Sequence, residues 1–370
     1  MKLLVVEPKT QGHRGFYLRL VLQALSQHQV TLLASSEVPS GFSDAWPAVR
    51  RLDLPAAGTA AQAVGHAALV AQGERFDRVF FPYIDSALDA LRTAARDSLP
   101  PVAGIWMSPS TLDRRYRYLP AWGKRNRFRG QTHRWLAEPT TAHQLPELLF
   151  LLEQERDALA RVAPGIRALH LCDPPEAVSA LGQAQARAAL GLAPEGCVLL
   201  HPGGADRRKG LGLLLQAYAR AEARGLATPF LLRMGPNRLK KAEQHQLDRM
   251  VAGGRAKASD GYVPLAMLTR AYAACDWVSL PYRKFRHSSG ILVNAAAAGR
   301  PVLVSGFGHI GRAVREGQPG RVFKHGSVSE LARALTELCP APFAGGGARA
   351  VDAAQDAFCA TLRRWADSIV

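Results

Sequence analysis

Residues 281–301 read PYRKFRHSSGILVNAAAAGRP. Just upstream, Asp276-Trp-Val-Ser-Leu280 has the length and the Val/Trp content of a buried strand. A polar turn, Arg286-His-Ser-Ser-Gly290, follows it. Ile291 to Ala298 offers small and apolar residues suited to a tightly packed helix, with Gly299 at the position where a helix ends in a left-handed residue and Pro301 just beyond. Val302-Leu-Val304 then reads as the next strand. The unit is strand, turn, helix, strand, and its helix opens at Ser288-Ser289-Gly290. Backbone N–H groups without an intrahelical partner, reinforced by the helix dipole, make that opening a site for an anion.

A second stretch carries the same chemistry. Cys197-Val-Leu-Leu-His201 reads as a strand, and Pro202-Gly-Gly-Ala-Asp-Arg-Arg-Lys-Gly210 as the loop that leads into a helix over Leu211–Ala223. Arg forks and a Lys beside glycines suit phosphate oxygens. The glycine spacing is wrong for a Walker loop, and no Ser or Thr follows Lys209.

Together these stretches resemble the donor region of retaining GT-B glycosyltransferases, the large bacterial group-1/family-4 type. The match runs through Asn294-Ala-Ala-Ala-Ala-Gly-Arg-Pro301-Val302, Gly306-Phe-Gly-His-Ile-Gly311, Gly317-Gln-Pro-Gly320 and the Lys209-Gly210 loop, and covers most of residues 197–340 in register. Two family glutamates are replaced, by Arg286 and Asn294. An arginine that the family has early in the loop stands as Gly203, with Arg207 or Arg208 placed to compensate.

The resemblance implies an α/β fold of the GT-B type, with two Rossmann-like doubly wound domains facing a cleft. It implies an acceptor-side domain over 1–175, a nucleotide-sugar domain over 176–348, and a terminal helix over 349–370 that crosses back to the first domain. It implies hexosyl transfer from a nucleoside-diphosphate sugar to a lipid-linked, saccharide or other acceptor, with retention. Lys209 and Arg208 are the expected catalytic cations, because charge grows on the leaving diphosphate in the transition state. Gly203, Gly204, Arg207, Gly235, Tyr262, Val263, Arg286, Ser288, Ser289, Gly290 and Asn294 are the expected donor-binding positions. Gly12, His13 and Gly15 are expected in a glycine-bearing loop that looks into the cleft. The nucleotide-sugar is substrate, so no cofactor is expected. No Asp-x-Asp pair is present to hold a metal under a diphosphate, and metal-independent transfer is expected. The replaced glutamates support an alternative, a GT-B-shaped binding or scaffold protein that has lost catalysis.

The remainder of the chain alternates strands and helices. Strands are predicted at Lys2–Glu7, Val30–Ala34, Phe76–Tyr83, Pro101–Met107, Ala168–Cys172, Phe230–Gly235 and Arg321–Phe323. Helices are predicted over Phe16–Gln27, Leu145–Val162, Asn237–Val251, Leu265–Cys275, Val328–Leu338 and Arg349 to about Ile369. Asp173-Pro-Pro-Glu176 breaks regular structure and marks a hinge. Trp106-Met107 stands where the family often has a histidine.

At 370 residues with 48% apolar content, the chain is long enough and apolar enough for two full cores, and a disordered composition is excluded. The net charge of +17 predicts a polyanionic partner or substrate. Its densest expression is Arg114–Trp135, where eight Lys and Arg residues interleave with Tyr, Trp and Phe. An anionic membrane surface or a phosphorylated, lipid-linked acceptor is the favoured partner of that segment. Nucleic acid is a clear third, and a solvated helix face with its aromatics in the core is the bland alternative. Five scattered cysteines without metal-ligand spacing argue against a disulfide framework and fit a reducing cytoplasm. The N-terminus reads as a first strand, not as a signal peptide, and no apolar run has the length of a membrane span. The expected location is therefore cytoplasmic, with peripheral attachment to the inner face of the plasma membrane.

Overall fold

The computed structural model describes residues 1–369 except 11, 36–45, 47, 55–58, 95–97, 114–123, 205, 206, 237 and 341–346. The chain divides into two units, Met1–Asp173 with Gln355–Val370, and Pro174–Ala354. Each is built on a parallel sheet, as alternating βα segments require when crossover helices must cover both faces.

In the first unit the described residues form seven strands. They are β1 (Lys2–Glu7), β2 (Gln29–Ser35), β3 (Arg50–Leu54), β4 (Arg78–Phe81), β5 (Val102–Ile105), β6 (Glu147–Phe150) and β7 (Arg167–His170). Their order is β3-β2-β1-β4-β5-β6-β7, so the winding reverses between β1 and β4. Two buried clusters cover the two sheet faces. One contains Leu3, Val5, Tyr17, Leu32 and Phe80, and the C-terminal helix adds Phe358, Cys359, Leu362 and Trp365 to it. The Trp365 indole N–H donates to the Glu147 carboxylate, and Arg167 reaches the Ser368 hydroxyl at 3.2 Å. The helix Ala348–Asp367 is thereby fastened to this unit from Gln355 onward.

Three features differ from the sequence reading. The segment 145–162, expected to be one helix, is β6 followed by a helix over Glu153–Val162. Leu148, Leu149 and Phe150 form a short apolar run whose period does not separate a buried strand from a buried helix, and pairing with β5 and β7 settles it. β3 is an edge strand, Arg-Arg-Leu-Asp-Leu, whose charges hid it. The helix expected from Phe16 already begins at Gly12, so Gly12, His13 and Gly15 lie in a first helical turn and not in a loop. Gly15 makes that early start possible, because a Cβ there would overlap the Thr10 carbonyl.

In the second unit the described strands are β8 (Val198–Pro202), β9 (Phe230–Met234), β10 (Ala256–Ser259), β11 (Trp277–Leu280), β12 (Val302–Ser305) and β13 (Gly320–Phe323). Their order is β10-β9-β8-β11-β12-β13, and here the winding reverses between β8 and β11. The helix expected from Asn237 begins at Lys241, and β10 was not anticipated. Asp276 anchors the N-terminal edge of the sheet. Its carboxylate accepts from the Val198 N–H at 2.7 Å and pairs with buried Arg187 at 2.7 Å.

Candidate functional site

In an open parallel sheet, ligands sit beyond the carboxyl ends of the strands where the winding reverses, because adjacent loops there diverge to opposite faces. In the second unit that place lies between the loops after β8 and β11. These are the Gly203–Gly210 loop and residues 281–289, the two stretches singled out in the sequence.

The two loops are joined. The Arg283 N–H donates to the Arg208 carbonyl at 2.7 Å, and the Arg208 guanidinium lies 4.9 Å from the Phe285 ring centroid. Gly210 has φ +76° and caps the helix Leu211–Glu222 while its α-carbon passes against Pro281, whose carbonyl a Cβ would overlap. Gly203 has φ +88° and lies beneath the Lys209 ammonium, which occupies the space a side chain there would need. A Cβ at Gly203 would also come within 3.5 Å of the Ile291 side chain, in the first turn of the helix Gly290–Ala297. Lys209 is thus held over the loop and close to the opening of that helix. Gly235, at φ +130°, packs on the Gly203 backbone, so a side chain at Gly235 would spread the loops, and one at Gly203 would displace the Lys209 ammonium.

The turn before the helix is strained as well as basic. Lys284 has φ +53° and is the non-glycine residue with positive φ among the described residues. Arg283, Lys284 and Arg286 are exposed, and Arg286 lies 5.1 Å from the Phe307 ring centroid. Arg207 and Arg208 are also exposed. From Trp277 to Arg315 the sequence has no acidic residue. Ser289 is buried and caps the helix without a side-chain hydrogen bond to its first turn. Tyr262 is 78% exposed, with Val263 beside it. Gly204 borders residues 205 and 206, which lie outside the described residues, and Ser288 is partly buried.

Asn294, an expected donor-binding residue, has a side-chain contact within its own unit. It is buried on the helix, and its side-chain oxygen accepts from the Glu176 N–H at 2.9 Å. That oxygen holds the chain just after the Asp173-Pro-Pro break.

Two residues that the sequence reading passed over lie under the loops. His201 on β8 and Arg233 on β9 are register partners, and both are fully buried. His201 Nδ1 is 2.9 Å from Ser279 Oγ, and that hydroxyl is 3.2 Å from the Leu200 carbonyl. The serine donates to the carbonyl, so Nδ1–H donates to the serine and Nε2 carries the lone pair. Burial pushes the His201 pKa down to about 3, with the Arg233 and Lys209 charges acting in the same direction. The signal was present in the sequence: a polar residue ends each of two otherwise apolar runs, Val198-Leu-Leu-His and Phe230-Leu-Leu-Arg.

In the first unit the winding reverses between β1 and β4, and a second polar group gathers there. Glu7 ends β1, fully buried. Its Oε1 pairs with Arg14 at 3.0 Å, and its Oε2 has no hydrogen-bond partner. Burial raises the Glu7 pKa to about 7 against the opposing pull of Arg14. Arg14 stacks 4.0 Å from the Tyr83 ring centroid. The Asp85 carboxylate accepts from the Met107 N–H at 2.9 Å and the Ser108 N–H at 2.7 Å. The Tyr17 hydroxyl donates to Asp173, and His13 meets the Tyr17 ring edge-on at 4.7 Å. Exposed Gly12 and His13 and half-buried Gly15 therefore belong to this group through their helix. Trp106 is core, tilted against Phe150 at 6.0 Å.

Residues 114–123 of the basic-aromatic segment lie outside the described residues. The rest is the helix Lys124–Leu136, where Arg127 and Arg134 are exposed while Trp135 and Leu136 join the core. No cluster of three or more His, Cys, Asp or Glu side chains able to hold a metal ion occurs among the described residues. No helix among them is long and apolar enough to cross a membrane.

Residues 196–340 match the family described as Glycosyl transferases group 1. The chain is related to the group 1 glycosyltransferases and has the GT-B fold. A D-inositol 3-phosphate glycosyltransferase of Rhodococcus erythropolis (strain PR4 / NBRC 100887) is 31% identical over 163 residues, 42% of this chain and 36% of that protein. The match thus spans about a third of that relative. Among solved structures, Anabaena Alr3699/HepE in complex with UDP-glucose superposes with a TM-score of 0.67 at 14% identity, covering 100% of this chain and 99% of the other. WaaG, a glycosyltransferase involved in lipopolysaccharide biosynthesis, gives 0.65 at 15% identity, with coverage of 100% and 95%. At such identities the structural likeness speaks for the two Rossmann-like sheets of the GT-B fold.

Proposed function

We propose that this chain is a hexosyltransferase that takes its sugar from a nucleoside-diphosphate donor without a metal ion. The observation that carries the reading is the junction at the second sheet's reversal point. Lys209 is folded over Gly203 beside the Gly290 helix opening, and the Arg208–Arg283 hydrogen bond locks the two loops together. In the transfer, the bond between the sugar C1 and the donor's β-phosphate oxygen breaks, and its electron pair leaves with the diphosphate. The acceptor oxygen bonds to C1, and its proton passes to the departing diphosphate on the same face, which gives retention. Lys209, with Arg208 beside it, offsets the charge that grows on the leaving oxygens, the task a metal performs elsewhere. Tyr262 and Val263 are the residues assigned to border the nucleotide base, and UDP is the first nucleotide to test, since HepE was solved with UDP-glucose.

On the acceptor side, the first unit's Arg14, Tyr83 and His13 offer cationic and aromatic contacts, and exposed Arg127 and Arg134 extend the positive surface. A phosphorylated or lipid-linked acceptor fits that charge, with the enzyme working at the cytoplasmic face of a membrane. A second reading, a GT-B-shaped binding protein without turnover, draws on Asn294, whose oxygen is committed to Glu176. A thermal-shift screen against UDP- and GDP-sugars, followed by an assay for donor hydrolysis, separates the two. Binding with turnover is the expected result; binding without any turnover favours the second reading, and no binding at millimolar donor removes both.

A further inference from the structure

Arg233 carries a positive charge inside the second unit that no side chain among the described residues neutralises. It is fully buried, and two of its nitrogens donate to the Gly235 carbonyl at 2.6 Å and the Pro236 carbonyl at 2.7 Å. Its Nε has no hydrogen-bond partner, and no carboxylate lies within ion-pair distance of it among the described residues. Asp260 acts on it only from farther away, with burial the dominant influence. Of the other buried arginines in the same unit, Arg187 is paired with Asp276 at 2.7 Å, whereas Arg300 donates to the Tyr272 carbonyl at 3.0 Å and the Ala273 carbonyl at 2.6 Å. A buried unpaired charge is expensive, and removing it in favour of an apolar side chain is often neutral or stabilising.

The position of that charge gives it a use. Arg233 is the penultimate residue of β9, its fork grips Gly235, and Gly235 rests on Gly203, the residue over which Lys209 folds. Its register partner His201 is neutral, with an Nε2 lone pair that has no hydrogen-bond partner among the described residues. The floor beneath the loop therefore holds one fixed cation beside one neutral acceptor. Pinning Gly235 and Pro236 alone needs only two N–H donors, which a neutral amide also supplies; the charge is surplus to that task.

We propose that Arg233 is a positioning residue whose uncompensated charge is the internal counter-charge of the donor's diphosphate, acting from beneath the Gly203–Lys209 loop. This rests on the donor-site reading above. The residue does not touch the ligand. It shapes the loop that does, and the dianion relieves the electrostatic penalty of its burial. Folding stability is thereby exchanged for affinity toward a diphosphate.

The test is calorimetric titration of the whole chain with UDP, GDP and the corresponding nucleosides, for wild type, Arg233→Gln, Arg233→Lys and Arg233→Met. With whichever diphosphate the wild type binds, affinity is expected to fall about tenfold or more in Arg233→Gln and Arg233→Met. Nucleoside affinity stays within about twofold, and Arg233→Lys retains most of the diphosphate affinity. The unliganded melting temperature of Arg233→Met holds or rises, which a merely structural pin would not allow. If Arg233→Met does not fold, the Gln and Lys variants decide alone. Diphosphate affinity unchanged within about twofold in Arg233→Gln overturns the proposal and leaves the donor site standing. A wild type that binds neither diphosphate overturns both.

Discussion

Glu7 gives the sharpest test of the first unit's polar group. Its carboxyl is fully buried at the end of β1, with a pKa raised from 4.5 to about 7 by burial, net of the attraction of Arg14. The folded state therefore holds a proton that the unfolded chain releases. Its contribution to stability is fully present below 4.5 and is lost as pH rises through about 7. Each pH unit in that window weighs on folding by ~1.36 kcal/mol, which gives roughly 3 kcal/mol across it. Glu7→Gln keeps the side chain's size and an oxygen for the Lys9 N–H, and cannot titrate. The stability of the variant relative to wild type should move in its favour by roughly 3 kcal/mol between about pH 4.5 and about pH 8. His201 runs the opposite way: its pKa is lowered, so its contribution is present above 6.5 and is lost as pH falls through about 3. It is common to both proteins and cancels in the difference. Urea unfolding followed by tryptophan fluorescence is the assay, and five of the six tryptophans lie in the first unit. A difference that stays constant with pH to within about 1 kcal/mol would refute the reasoning, because Glu7 would then be an ordinary ionised partner of Arg14.

Lys209→Ala should lower turnover by roughly two to three orders of magnitude with a smaller change in donor KM, since its charge acts mainly on the departing diphosphate; a loss of only a few-fold in kcat would remove it from the chemistry. Gly210→Ala places a Cβ on the Pro281 carbonyl at a φ of +76° and should destabilise the second unit by about 2 kcal/mol or more, read by denaturant unfolding, with donor affinity falling alongside. Wild-type stability in that variant would mean the two loops are not locked together. Asn294→Ala leaves the Glu176 N–H without its acceptor and should cost about 1 kcal/mol of stability. If it leaves stability unchanged and weakens nucleotide binding instead, Asn294 is a ligand residue after all.

The organising stretch was legible because its information is local. Strand β11, the Ser289 cap, the helix Gly290–Ala297, Gly299 in the left-handed region and strand β12 follow from residue types at neighbouring positions. The Lys209 loop was legible for the same reason, since glycines that must adopt positive φ sit beside the basic residues they expose. Where a segment's state depends on distant partners, local reading failed. Glu147–Phe150 has the local character of a helix, and only pairing with β5 and β7 makes it a strand. The first helix begins at Gly12, four residues before its apolar period, because its start depends on Gly15 meeting the Thr10 carbonyl.

The sequence by itself determined two alternating βα halves, the break at Asp173-Pro-Pro-Glu176 and a basic phosphate-type loop, because spacing, turn chemistry and charge are properties of contiguous residues. Tertiary structure alone decided which strands flank each reversal point, and so which loops meet. It brought His201 beside Arg233 across two strands and left the second without a counter-ion among the described residues. It turned Asn294 toward Glu176, and it enclosed Glu7 so fully that its proton stays to about neutral pH. Each of these outcomes depends on desolvation and on partners far away in the chain. Burial is a property of the folded whole, which is why the chemistry of these four side chains could not be read from their own neighbourhoods.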